Sequence, residues 1–182
     1  MFNAVLRKYV YNILSCIPWE HWVIIITMAL ALSVFYIFRN RDSVYGGIVL
    51  GMTVFVGLFL LDTAVAIRCL GLFPHGSGLS LRFDRLIHPS VYSWTELISN
   101  TVVFIPFGFF FSEFLSSTRQ IRFGLHICFV VLAGLGLSMC IECLQLTLHA
   151  GFFEFIDLVT NTVGTFVGAL ISLFGRMIIK KV

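Results

Sequence analysis

Five side chains with hydrogen-bonding or acid-base chemistry stand inside long apolar runs of this chain: Asn100, Glu142, Gln145, Asp157 and Asn161. Buried charges and amides in such surroundings cost several kcal/mol unless they are paired, so each one needs a reason to be there. Their spacing groups them. Glu142, Gln145 and His149 fall at i, i+3 and i+7, one stripe of a helix, while Asp157 and Asn161 fall at i and i+4, as do Glu96 and Asn100. Glu142 sits roughly 9 to 12 Å of helical rise before the end of its run, too deep for a headgroup-level residue. Two carboxylates and three amides of this kind can bind a hydrogen-bonding headgroup, hold a proton or act as an acid and base pair. They can also satisfy one another and simply hold helices together. Pure gluing rarely needs two carboxylates, which favours a site.

The elements that must position these residues are membrane helices. Side chains are 59% hydrophobic and 12% charged, and the mean hydropathy is +0.99, outside the range of water-soluble domains. Five stretches, approximately 18–38, 44–67, 96–115, 123–148 and 156–179, are each long enough to cross a hydrocarbon core, which takes about 20 helical residues. The expected fold is all-α, a polytopic bundle of about five transmembrane helices over residues 18–182, preceded by a leader over 1–17. The leader carries Arg7 and Lys8 among apolar residues, and reads either as an interfacial helix or as an unstructured tail. Basic residues before an apolar run also suggest a signal peptide, but that run continues past its Ala29 and Ala31 to Phe38, which argues against cleavage. Trp19 and Trp22 read as interfacial anchors.

Seven of the twelve Lys and Arg residues fall on one side if the N-terminus is outside, and the link between the last two helices has none. That asymmetry predicts N-terminus outside and C-terminus cytoplasmic. In that orientation the start of the third helix, the end of the fourth and the start of the fifth meet near the outer face. The polar stripes converge there. Gly164 and Gly168 continue the Asp157–Asn161 stripe and allow a neighbouring helix to come close, as small-residue pairs do in membranes. Pro106 removes one hydrogen bond from the third helix, which kinks it or frees a carbonyl. Asp62 is expected to face the bundle, with Arg68 reaching for the interface. The long link from about 68 to 95 is either a lid or a passive connector.

Other chemistries find little support. The basic residues form no stripe and no long soluble segment exists, so nucleic acid is not an expected partner. Five Cys lie mostly in or beside apolar runs, and the spacing of Cys140 and Cys143 with Glu142 and His149 matches no established zinc pattern. No metal and no cofactor is expected. There is no G-x-S-x-G frame for a serine nucleophile.

The string Ser99-Asn100-Thr101-Val102-Val103-Phe104-Ile105-Pro106-Phe107-Gly108-Phe109 resembles the helix of the VanZ-like family that begins with Asn and carries F-I-P-x-G-F. Two further matches follow in the family's order, Glu142-x-x-Gln145 and then Asp157-x-x-x-Asn161-Thr162-x-Gly164, so that the resemblance covers about residues 96–170. Family members often carry a basic residue and several Asp before the last helix; here Glu154 alone precedes Asp157. The resemblance implies a small bacterial membrane protein of the cell envelope, linked to glycopeptide resistance of the teicoplanin type.

Three functions compete. The first is a binding protein whose outer-face pocket takes a membrane lipid headgroup, a lipid-linked cell-wall intermediate or a lipoglycopeptide. A second is a membrane enzyme that uses Glu142 and Asp157 as acid and base on a lipid substrate. The third, a proton-coupled transporter, is weakened by the lack of an evident inverted repeat.

Overall fold

The computed structural model describes residues 17–40, 43–69, 78–80, 91–119, 121–149 and 152–179. The leader over 1–17 apart from Ile17, most of the link from about 68 to 95, and the side chains of Arg68 and Glu96 lie outside the described residues. Among the described residues, five long helices carry the fold: α1 (Trp19–Arg39), α2 (Val44–Cys69), α3 (Val91–Thr118), α4 (Phe123–Thr147) and α5 (Phe155–Ile179). Each contains a span long and apolar enough to cross a membrane. Two short strands, β1 (Gly78–Ser80) and β2 (Phe152–Glu154), lie in the α2–α3 and α4–α5 links.

Helix ends follow local chemistry. Pro18, with φ fixed at −55°, leads into α1 and its carbonyl accepts from the His21 N–H at 3.0 Å. α4 stops where His149 turns into the left-handed region (φ 53°) after Leu148 has closed the last turn onto the Leu144 carbonyl. Hydroxyls inside the helices bond back to the preceding turn, as Thr53 does to the Val49 carbonyl and Thr165 to that of Asn161, so they need no water. Pro106 sits within α3, which runs on unbroken to Thr118.

The burial pattern is that of a protein solvated by lipid. Large apolar side chains such as Ile24, Phe35, Val102, Leu132, Val163 and Phe174 face outward, whereas Glu142, Asp157, Thr165 and Ser172 are buried. Hydrocarbon is the only solvent that leaves the first group stable in that position without association. The chain is a multi-pass membrane protein.

α3 and α5 run parallel and form the most extensive contact among the described helices. A Cβ on Gly164 would overlap the Thr101 carbonyl, one on Gly168 the Ile105 carbonyl, and one on Gly108 the backbone of Thr165. Only glycine permits this approach. An apolar layer of Leu60, Phe104, Phe107 and Ile141 joins α2, α3 and α4, while α1 packs chiefly along α2. Trp22 is half-buried against Phe55 and Phe59 of α2, with ring centroids 6.5 and 5.4 Å away, so it serves that contact as well as any interfacial role. Trp19 is exposed.

The α2–α3 link differs from the sequence expectation. α2 extends through Cys69 and α3 begins at Val91, which shortens the link, and β1 pairs in parallel with β2 in the register Gly78↔Phe152, Leu79↔Phe153, Ser80↔Glu154. The pairing gives main-chain groups at two helix exits a partner where lipid offers none.

Candidate functional site

The starts of α3 and α5 and the end of α4 lie at one end of the bundle, here called the site end. All five residues singled out from the sequence are found there. Glu142, Gln145, Asp157 and Asn161 are only 2%, 3%, 4% and 5% exposed, and Asn100 is half-buried. Asn100 and Asp157 meet directly, the Asn100 Nδ2 donating to Asp157 Oδ1 at 2.8 Å, which joins α3 to α5. The other three reach different partners. Asn161 Nδ2 donates to Ser138 Oγ of α4 at 2.9 Å, Gln145 Nε2 to the Ala64 carbonyl of α2 at 3.1 Å, and the Glu154 backbone N–H to Glu142 Oε2 at 2.9 Å.

The convergence is thus one of place, with each side chain tying a different pair of elements. Glu142 anchors β2, and through the strand pairing the α2–α3 link is held to the same point. Glu154 is itself buried, which puts a third carboxylate at this end beside Glu142 and Asp157. Two amide oxygens remain without a hydrogen-bond partner although fully enclosed: Gln145 Oε1 and Asn161 Oδ1. Nearer the first two helices, Asp62 Oδ1 pairs with His21 Nδ1 at 2.7 Å and leaves Oδ2 unpartnered.

One detail of the sequence reading is corrected. His149 falls past the last turn of α4 and is exposed, so it leaves the Glu142–Gln145 stripe. Asp62 faces the bundle as expected, where its partner is His21, forty-one residues earlier, and α2 continues through the position of Arg68. Pro106 is exposed, and the carbonyl it frees belongs to Val102, which also faces lipid, so neither opens toward the polar residues.

A second polar cluster, absent from the sequence reading, lies at the opposite end. Glu113 of α3 accepts from Arg176 Nε at 3.0 Å and Ser172 Oγ at 2.7 Å on Oε1, and from Arg176 Nη2 at 2.6 Å and the Tyr45 hydroxyl on Oε2. Arg176 Nη2 also donates to the Glu113 main-chain carbonyl at 3.2 Å. The planar fork of the guanidinium fits the carboxylate edge-on, which is the strong geometry for such a pair. Next to it, Ser112 and His126 share a hydrogen bond of 2.9 Å, both buried. One signal was available: the stripe Asp157, Asn161, Gly164, Gly168 continues in steps of four to Ser172 and Arg176.

Among the described residues, no group of three or more His, Cys, Asp or Glu side chains is arranged to hold a metal ion. Cys128, Cys140 and Cys143 are exposed thiols on the outward surface of α4.

The family model described as VanZ/LLP1 matches residues 72–176, a range that holds all of α3 and α4, most of α5 and both polar clusters apart from Tyr45. Protein VanZ of Enterococcus faecium is 32% identical over 83 residues, 46% of this chain and 46% of that protein, so the match spans about half the length of that curated relative. No solved structure matches. With the family model covering more than half of its residues, the chain belongs to the VanZ/LLP1 family.

Proposed function

We propose that this protein binds the polar part of an amphiphile at the site end: a membrane lipid headgroup, a lipid-linked cell-wall intermediate or a lipoglycopeptide. The observation that carries the reading is the gathering of three buried carboxylates and three amides where α3, α4 and α5 meet. A bundle that needed only cohesion has a cheaper means already in use, the glycine-mediated contact of α3 with α5. Carboxylates held in an apolar protein at a cost of several kcal/mol are characteristic of ligand or proton sites. We further propose that the site end is the outer face, with the N-terminus outside and the C-terminus cytoplasmic. The opposite end holds Arg39, Arg119, Arg122 and Arg176, and Lys and Arg prefer the cytoplasmic side. Similarity to Protein VanZ supports a part in teicoplanin-type glycopeptide resistance.

The deciding experiment is mass spectrometry of lipids that copurify with the wild type and with Glu142→Gln. A defined amphiphile retained by the wild type and lost from the variant supports binding; identical lipid profiles count against it. Chemical conversion of that amphiphile by the purified protein would move the assignment to the acid-base enzyme, with Glu142 and Asp157 as the working pair. C-terminal reporter fusions test the orientation independently.

A further inference from the structure

A connection that stands in water between two membrane helices shows it polar and charged side chains, and the α4–α5 connection does not. From Phe123 to Ile156 the sequence has two charged residues, Glu142 and Glu154, and both are buried. The described side chains that point outward around the turn are chiefly apolar: Leu146 and Leu148 at the end of α4, Phe152 on β2 and Phe155 at the start of α5. We infer that this connection docks into the lipid leaflet at the site end, with Leu146, Leu148, Phe152 and Phe155 seated where headgroups meet acyl chains. The inference concerns what the connection touches and does not rest on what the site binds.

Continuity is the first argument. The exposed apolar surface of α4 and α5, with Met139, Val159 and Val163, runs on into Leu146 and Phe155. The main chain is the second. Irregular backbone at membrane depth needs partners within the protein, and here it has them. β2 pairs with β1, the Glu154 N–H reaches Glu142 Oε2 at 2.9 Å, and the His149 N–H reaches the Leu146 carbonyl at 3.2 Å. The Thr147 hydroxyl, though exposed, bonds back to the Cys143 carbonyl at 2.7 Å. These bonds do what water does for an ordinary loop. Exposed His149 is the polar exception, and its ring can lie flat while the nitrogens stay among headgroups. Length is the third argument. Arg122 is exposed at the start of α4, as befits a residue at the opposite headgroup layer. From there to Leu148 the helix rises about 39 Å, against about 40–45 Å for a bilayer with its headgroups. The turn therefore lies within the headgroup layer and not beyond it.

The test places a photoreactive benzophenone side chain at Leu148 or at Phe152 of the full-length protein in vesicles of phosphatidylcholine and phosphatidylglycerol. Val163, on the lipid-facing surface of α5, is the reference position. After illumination, mass spectrometry of the intact chain reads what each position has bonded to. The expected result is a phospholipid adduct at Leu148 and at Phe152 in a yield comparable with that at Val163. Lipid adducts at Val163 with none at Leu148 and Phe152 would place the turn in water and overturn the inference. Adducts to a second copy of the chain, or to another part of the same chain, overturn it as well, because protein then covers the patch. Each position decides alone, so a probe that prevents assembly at one leaves the other. Lipid retention in Glu142→Gln is read separately, so the headgroup reading can fail while this inference stands, and the reverse.

Discussion

At one end of the bundle the Glu113 carboxylate has four donors on its two oxygens, whereas at the other Gln145 and Asn161 each keep a buried oxygen with no donor at all. The two clusters draw on similar materials, a carboxylate on one helix and polar partners on its neighbours, and both join α3 to α5. They differ in closure. The Glu113 network uses a bidentate arginine and fills every acceptor position, which is the condition under which a buried ion pair holds its partners in one geometry. Among the described residues, the hydrogen bonds of the site end run to separate partners and leave two buried amide oxygens without one. Polarity inside a membrane bundle therefore has two uses here, and the accounting of lone pairs tells them apart.

About 20 Å of α3 separates Asn100 from Glu113, at 1.5 Å per residue. Between them Gly108, Gly164 and Gly168 bring α3 and α5 into backbone contact. A continuous polar passage between the clusters along this pair would have to cross that contact, and a Cβ does not fit there. The geometry favours two local functions over one channel, which also weakens the transporter alternative.

The largest loss of stability is expected from opening the closed cluster. Arg176→Met leaves the Glu113 carboxylate buried with two weaker donors, and removal of one partner from such a pair costs about 3 kcal/mol or more. A melting temperature several degrees lower and reduced membrane levels should follow. Adding Glu113→Gln to Arg176→Met should recover much of the loss, because the uncompensated charge is then gone. An unchanged melting temperature in Arg176→Met would show that this end is no pin, and the contrast between the two ends would break.

Next in size is the seam between the clusters. Gly168→Leu must push α5 away from the Ile105 carbonyl, at about 1–3 kcal/mol for overpacking. Gly136→Leu on α4 is the control, since nothing lies within 4 Å of the added Cβ, and it should melt with the wild type. If the two variants behave alike, helix contact at α3–α5 does not set stability.

Tyr45→Phe is expected to cost about 1 kcal/mol, the usual worth of one hydrogen bond. It takes away one of four donors to Glu113 and leaves Ser172 and Arg176 in place. A loss as large as that of Arg176→Met would mean that α2, and not the arginine, holds the cluster together.

Much of the fold was legible because hydropathy and helical period are local properties. Five spans, the Gly164–Gly168 face and the gathering of the Asn100, Glu142 and Asp157 stripes at one end follow from hydropathy, spacing and alternating helix direction. What remained hidden depends on which distant residues become neighbours. Glu113 bonds residues 68, 59 and 63 positions away, and Arg176 taken alone reads as a helix-end charge that marks topology. Ser138 lies one turn before Glu142 on α4, but a serine in a transmembrane helix usually bonds its own backbone, so nothing marked it as Asn161's partner. Strands of three residues have no pattern long enough to detect, and β1 and β2 exist only because the bundle brings two links together.

The smallest change in stability, and the largest in function, is expected at the site end. Glu142→Gln and Asp157→Asn keep shape and an acceptor oxygen, so the Glu154 N–H and the Asn100 amide still have a partner. What each substitution removes is charge. A cluster that exists to hold helices together does not need that charge, whereas a site that uses charge to recognise its ligand does. Both variants should therefore reach the membrane at near wild-type level and melt within about 1 kcal/mol of it. They should lose the copurifying amphiphile and any reduced susceptibility to a lipoglycopeptide that the wild type confers. Should both keep the phenotype in full, the carboxylates are structural and the two ends differ only in how well they are satisfied. Should both disappear from the membrane, the site end is a folding element as much as the Glu113 network is. Retained protein with lost phenotype is the one combination that a purely structural role at Glu142 and Asp157 does not produce.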